Sequence, residues 1–278
     1  MIGYTKNLLI ANKESIICGW DILKKEAKKN NTKIIPIDSE HFSILRLLEK
    51  QKINEIKKIY ITASGGPFLN LNINKFKNVK PKDALKHPKW KMGKKISIDS
   101  ATMMNKVLEK IEASILFNLD LSKIDIIIHP KSIVHGVVNY VDGNSVMLAS
   151  QPDMKIPINY ALNWPKRTQF NIKNICLKKI KDLSFFNTNF KTFPALKLFK
   201  YLSNSKLNYS RLISLNASNE VAVESFLRKK IKFLDIVKII EKTLVSSSDS
   251  EPKNISDVFE IHNEACKMSY SYINNLRN

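Results

Sequence analysis

Glycine is scarce in this chain: seven in 278 residues, at positions 3, 19, 65, 66, 93, 136 and 143, and nowhere spaced as GxGxxG. That excludes a glycine-rich, pyrophosphate-cradling turn from the sequence as it stands. Cysteine is scarcer. Cys18, Cys176 and Cys266 are odd in number, widely separated and without a CxxC pair, so neither a disulfide framework nor a cysteine zinc site is expected, and a reducing cytoplasm fits best. No run of about eighteen apolar residues occurs, and Met1 leads into IGYTKNLLIANKES instead of a basic, then apolar, then small-residue series. Neither a membrane span nor an export signal is expected. Arginine supplies only five of 46 basic residues, and the lysines are scattered instead of interleaved with aromatics, so the net charge of +21 does not make a nucleic-acid-binding surface. Abundant Lys, Asn and Ile are what an A+T-rich coding sequence would produce. HExxH, GxSxG and Walker loops are all missing.

What is present suffices for real cores: 44% of the residues are apolar, in a chain long enough for two domains. Asn7 to Ala11, Lys33 to Ile37 and Lys57 to Ala63 are apolar runs of strand length, and Glu14 to Lys29 and Ser39 to Leu48 have helical spacing between them. This alternation predicts a parallel α/β sheet, with ligands at the carboxyl ends of its strands, where Asp38, Ser39, Glu40 and Ser64 stand. Ser39 is the expected N-cap of its helix. A long irregular region from Ser64-Gly65-Gly66-Pro67 to Lys95 follows, carrying His87, Trp90 and Met92. Then come a buried strand at Ile124 to Ile128 and a hairpin of Ser132 to Val141 and Ser145 to Ser150 around Asp142-Gly143-Asn144. From about Phe193 only helical patterns remain, which puts a domain boundary between Trp164 and Phe193.

The stretch SIDSATMMNKVLEKIE, Ser97 to Glu112, is central. Ser100 reads as an N-cap, and at about 100° per residue Met104, Val107, Leu108, Ile111 and Ile115 gather on one side of the helix, with Asn105, Lys106 and Glu109 on the other. That second arc is either a solvated face or a place where anion and metal chemistry meet, since a helix N-terminus with a nearby lysine suits phosphate. Asp38 and Glu40 flank Ser39 and could grip a hard divalent cation with Glu109 as a third carboxylate, or could merely decorate a helix N-terminus. Ser64-Gly65-Gly66 is either an anion-approach turn or an ordinary one. Lys13 lies at a strand-to-helix junction, and His87, held out of a helix by Pro88, is the histidine least easily assigned to packing. His129 and His135 border strands, His41 rides the helix after Glu40, and His262 belongs to the helical end.

Taken in order, ANKES, PIDSEH, TASGGPF, HPKWKMGKKISIDSATMMNK and HPKSIVHG, followed by PDM at Pro152, NWP at Asn163 and LNASNE at Leu215, resemble the 1-deoxy-D-xylulose-5-phosphate reductoisomerase family of the non-mevalonate isoprenoid pathway. The resemblance covers essentially the whole chain. It implies an α/β protein with the remnant of a parallel Rossmann-type NADPH domain at 1–37, an α+β catalytic domain at 38–165, a linker at 166–192 and a C-terminal helical bundle at 193–278. It implies Asp38, Glu40 and Glu109 as ligands of Mg or Mn. Ser64, Ser100, Asn105 and Lys106 would cradle the substrate phosphate, with Lys13, Ser39, Glu40, His87 and Glu109 as further substrate contacts. Lys13, Asp38, Glu40, His87 and Glu109 would be the catalytic set; Asn12, Glu14 and Gly93 would touch NADPH, and the loop with His87, Trp90 and Met92 would close as a flap. The implied reaction is NADPH-dependent rearrangement and reduction of 1-deoxy-D-xylulose 5-phosphate to 2-C-methyl-D-erythritol 4-phosphate by a cytoplasmic homodimer. The chain departs from the family in opening on what would be a late strand of the NADPH domain, so a truncated member is expected. The rival expectation is a non-catalytic remnant that keeps metal and sugar phosphate but not NADPH.

Overall fold

A computed structural model describes residues 2–87, 92–202 and 207–276; of the expected flap residues, Trp90 lies outside them. The chain divides into two compact units that interleave along the sequence. The first comprises Met1–Lys13, Leu23–Ser64 and Leu108–Thr188, and the second Glu14–Ile22, Gly65–Val107 and Asn189–Asn278.

Asn7–Ile10 (β1) and Lys33–Pro36 (β2), both of the first unit, pair in parallel, with Asn7 opposite Lys33 and Ile10 opposite Pro36, and they are connected by Lys13–Lys29 (α1), of which Glu14–Ile22 belongs to the second unit. Ser39–Leu48 (α2) follows, then Ile56–Ala63 (β3). The alternation predicted β3 as a third strand of the same sheet; it instead lies in a separate five-stranded mixed sheet. The long connection from β3 leaves room for Pro81–Ala84 (α3), Lys94–Thr102 (α4) and Met104–Phe117 (α5), so Ile124–Ile128 (β4) can return parallel to β3. The short link to Val134–Tyr140 (β5) cannot act as such a crossover, and β5 runs antiparallel on the other side of β3, with Ser145–Ala149 (β6) completing the expected hairpin.

Ile44 of α2 and Ala113 of α5 pack with Ile59 and Ile61 of β3, Ile124 of β4 and Val138 of β5 to form the core under this sheet. A Cβ on Gly136 would lie 2.7 Å from Ile44 Cδ1, so the glycine lets α2 approach β5 closely. Lys155–Asn163 (α6) follows. The stretch expected as a linker contributes a two-residue strand, Phe186–Asn187 (β7), paired with Ile127 and Ile128.

The second unit is mostly helical. A 3-10 segment at Pro194–Tyr201 leads to Tyr209–Leu227 (α7), Asp235–Ser246 (α8) and Ile255–Asn275 (α9), where the sequence pattern put helices. The region after Ser64, expected to be irregular, is tied down by an aromatic cluster in which Phe68, Phe76, Phe226 and Phe233 place ring centroids 5.2–5.9 Å apart.

Candidate active site

Asp38 is the N-cap of α2, with its Oδ1 accepting the Glu40 N–H at 3.1 Å. The sequence reading gave that role to Ser39; the carboxylate one position earlier wins it, and the helix N-terminus stabilises the charge. Ser39 takes the first helical position, where its hydroxyl donates to the Glu40 carboxylate.

The expected helix start at Ser100 is corrected in the same way. Ser100 lies in the last turn of α4, its carbonyl accepting the Met103 N–H, and Met103 adopts a left-handed conformation at φ 64°. The Thr102 hydroxyl accepts the Met104 N–H at 3.2 Å and so caps α5. Ser and Thr cap comparably, so the sequence could not choose between them, and a non-glycine residue in the left-handed region gave no signal. As a result Asn105 and Lys106 fall in the first turn of α5. The predicted apolar face, Met104, Val107, Leu108, Ile111 and Ile115, is buried, but so are Lys106 and Glu109 on the opposite arc, which is therefore not a solvated face.

Within the first unit, Asp38, Glu40 and Glu109 each offer a carboxylate oxygen, all within 4.8 Å of one another. Oxygens sharing one Mg or Mn ion at about 2.1 Å can be at most about 4.2 Å apart, so movements of well under an ångström would complete the set. Lys13 is buried beside them, its Nζ 3.2 Å from Asp38 Oδ2 and 3.4 Å from Glu109 Oε1. Burial alone would lower the Lys13 pKa, but Asp38, Glu109, Glu112 and Glu40 outweigh it and hold the ammonium well above the ordinary lysine value. Three carboxylates against one ammonium leave an excess of two negative charges, which suits a divalent cation.

Two residues behind the cluster were not assigned a role from sequence. His41, fully buried, sits with Nε2 2.9 Å from the Glu109 carbonyl oxygen, and with Nδ1 3.2 Å from Glu112 and 3.4 Å from Asp38. Glu112 is also buried; burial pushes its carboxyl up to about 7 against the opposing pull of His41 and Lys13. Helix arithmetic pairs His41 with Asp38 and Glu112 with Glu109, each three residues on, but does not show that the shared faces are buried.

The remaining expected residues divide between the units. Asn12 and Ser64 belong to the first; Glu14, His87, Gly93, Ser100, Asn105 and Lys106 belong to the second. In the second unit the backbone of Gly66, at φ 63°, lies so close to α4 that a Cβ there would come 2.8 Å from the Ser100 carbonyl oxygen. His87 is held below its usual pKa by burial and then by the nearby Lys106 charge, which places these two side chains in the same electrostatic environment. Gly93 is the N-cap residue of α4.

Residues 34–117 match the family model for the 1-deoxy-D-xylulose 5-phosphate reductoisomerase C-terminal domain, and residues 149–268 match that for the DXP reductoisomerase C-terminal domain. The reductoisomerase of Ehrlichia canis is 45% identical over 272 residues, covering 98% of this chain and 70% of the relative. The chain belongs to the 1-deoxy-D-xylulose 5-phosphate reductoisomerase family. The Wolbachia (strain wRi) reductoisomerase is 48% identical over 262 residues, 94% of this chain and 67% of its own length. Among solved structures, a DOX-P reductoisomerase in complex with NADPH, fosmidomycin and magnesium matches all of this chain and 72% of its own at a TM-score of 0.90 and 38% identity. The Zymomonas mobilis reductoisomerase in complex with NADPH matches 98% of this chain and 69% of its own at a TM-score of 0.89 and 38% identity. The resemblance read from the motifs is thus borne out, as is the mixed α/β fold class. The chain spans about two thirds of the length of the curated relatives it matches. No helix among the described residues is long and apolar enough to cross a membrane.

Proposed function

We propose that this chain binds a divalent cation and 1-deoxy-D-xylulose 5-phosphate and takes part in the NADPH-dependent conversion of that ketose phosphate to 2-C-methyl-D-erythritol 4-phosphate. The observation that carries the reading is the convergence of Asp38, Glu40 and Glu109 around the buried Lys13 ammonium, in a chain whose relatives are named for this reaction.

Asp38, Glu40 and Glu109 would hold Mg or Mn, and their hard oxygens fit either ion. When bound, the metal supplies Lewis-acid polarisation of adjacent ketose oxygens, and NADPH supplies hydride. Lys13 keeps its proton and presents a fixed positive charge beside the ligands, where an oxygen gaining charge would be stabilised. Ser39 and Glu40 would add substrate contacts. Ser64, Ser100, Asn105 and Lys106 would take the phosphate; Lys106, buried in the first turn of α5, is a cation at a helix N-terminus, where an anion gains from both. His87, its pKa lowered, would contact substrate as a neutral imidazole and shield it with the rest of its loop. Asn12, Glu14 and Gly93 would contact the cofactor.

The division into 1–37, 38–165, 166–192 and 193–278 is part of this proposal, as are a cytoplasmic location, in keeping with three free thiols, and a homodimer. The dimer is supported by exposed Val146 and Met147 on β6, the outermost strand of the mixed sheet, since an uncovered apolar edge strand invites pairing. A second reading is binding of metal and sugar phosphate without turnover of NADPH, for which the converging Asp38, Glu40 and Glu109 and the buried Lys106 would suffice.

Lys106→Ala tests the phosphate assignment. It should raise the dissociation constant for the ketose phosphate by about tenfold or more while leaving its unphosphorylated analogue nearly unchanged. Equal losses for both ligands would refute it, and NADPH oxidation by the unsubstituted chain with substrate and Mn separates the two readings.

A further inference from the structure

The second unit contains a polar chain, part-buried at its Glu14 end and fully buried at Asn219, that runs through α1, α4 and α7, and its members Lys95, Asp99 and Asn219 have no role above. The Lys95 ammonium donates to Glu14 Oε1 at 3.1 Å and to Asp99 Oδ2 at 3.0 Å. The other Asp99 oxygen accepts from Asn219 Nδ2 at 2.9 Å. Asp99 is 1% exposed and Asn219 is fully buried, so this carboxylate is satisfied by protein groups in a setting where such bonds are strong. Burial would lower the Lys95 pKa, but Asp99 and Glu14 together raise it, so the cation at the middle of the chain is secure.

Asn219 is otherwise a poor choice for its place. Its Oδ1 has no hydrogen-bond partner among the described residues, and an unpaired buried acceptor costs free energy that an apolar side chain would not. The compensating contact is the donation to Asp99, which fixes the amide orientation because a carboxylate only accepts. Position 219 also lies in LNASNE, the stretch of the helical end that resembles the family and that received no chemical role.

What the donation restrains follows from helix geometry. Asp99 directly precedes Ser100, about 100° further round α4, so a side chain that pins Asp99 against α7 also sets the direction of Ser100. Two residues further on, Thr102 ends α4 and its hydroxyl caps α5, so the same restraint is passed through Met103 to Asn105 and Lys106. Gly66 packs against the Ser100 carbonyl with no room for a Cβ, so α4 cannot turn without a clash on that side.

We propose that Asn219 is a positioning residue for substrate-phosphate binding: by holding Asp99 it fixes the rotation of α4, and with it the aim of Ser100 and of the turn leading to Asn105 and Lys106. The inference rests on the phosphate assignment of those three residues made above. It ties a residue of the C-terminal helices to affinity for a ligand it does not touch.

The test is calorimetric titration of the full chain with 1-deoxy-D-xylulose 5-phosphate and, separately, with Mn, for the unsubstituted protein, Asn219→Leu, Asn219→Asp and the exchanged pair Asp99→Asn/Asn219→Asp, with circular dichroism and thermal melts as the check on folding. Asn219→Leu removes the donor at similar volume and should weaken the sugar phosphate about tenfold while Mn binding changes several-fold less, because Asp38 and Glu40 stand at the start of α2 and Glu109, a turn further along α5, is held by its own contact with Lys13. Asn219→Asp opposes two carboxylates and should weaken it further, and the exchanged pair, which restores a donor opposite an acceptor, should recover part of that loss. If Asn219→Leu does not fold, the smaller Asn219→Ser takes its place with the same expectation. Sugar-phosphate affinity unchanged in Asn219→Leu, equal losses for both ligands, or no recovery in the exchanged pair would each overturn the proposal. An unsubstituted chain that fails to bind the sugar phosphate would instead overturn the phosphate reading itself, and this inference with it.

Discussion

Glu112→Gln should make the protein more stable at neutral and alkaline pH and leave it nearly unchanged in acid. Glu112 is 2% exposed, and its carboxyl is raised from 4.5 to about 7, chiefly by burial. A carboxyl with a raised folded-state pKa binds its proton more tightly in the folded chain than in the unfolded one. Its contribution to stability is therefore complete below the unfolded value, 4.5, and is lost as pH rises through the folded value, about 7. The interval between those values corresponds to on the order of 3 kcal/mol. Glutamine reproduces the shape of the protonated acid but cannot ionise, so it escapes the loss. Urea unfolding of both proteins in chelator, at intervals from about pH 4.5 to 8.5, would give the difference directly, since the titrations of all other groups largely cancel. The two should be similar at the acid end, and the variant should be more stable by on the order of 2–3 kcal/mol above pH 8. A difference that stays constant across the range would refute the reasoning.

Gly66→Ala should cost on the order of 2–3 kcal/mol and weaken sugar-phosphate binding, since it combines a left-handed conformation with a Cβ 2.8 Å from the backbone oxygen of Ser100, which cannot move aside as a side-chain tip could. A denaturation midpoint equal to that of the parent would argue against the close approach. Of the thiols, exposed Cys176 should react first with Ellman's reagent and half-buried Cys18 much more slowly, because burial and then Glu220 push its thiol up to about 12. Rapid modification of Cys18 in the folded protein would contradict that.

Much of the fold was legible because periodicity is local. The β5 and β6 hairpin follows from two alternating runs around Asp142-Gly143-Asn144, and the apolar stripe of α5 from the spacing of Met104, Val107, Leu108, Ile111 and Ile115. What periodicity cannot supply is the partner of a strand. β1, β2 and β3 have similar apolar runs, yet β3 joins β4 and β5 because pairing is decided by connection length and by the core it shares with Ile44, Ile124 and Val138. Caps were located to within one or two residues but assigned to the wrong side chain, Ser39 for Asp38 and Ser100 for Thr102, because the competing residues have similar capping ability.

The three carboxylates proposed to hold the metal, Asp38, Glu40 and Glu109, could be picked out from the sequence, and the structure brings an oxygen of each within 4.8 Å of the others. Glu112, His41 and Asp99 went unassigned for a different reason. A charged side chain in an amphipathic pattern reads as solvent-facing, and only packing shows that these three are buried and facing one another or a partner across the unit.

Asp38, Glu40 and Glu109 are proposed to form one divalent-cation site. Titrating the chain with Mn, followed by loss of the free-ion paramagnetic signal, should give one bound ion per chain, and Glu109→Gln should weaken it by more than about tenfold while the circular dichroism spectrum stays the same. No saturable Mn binding, or equal affinity in Glu109→Gln, would show that these carboxylates do not hold the ion.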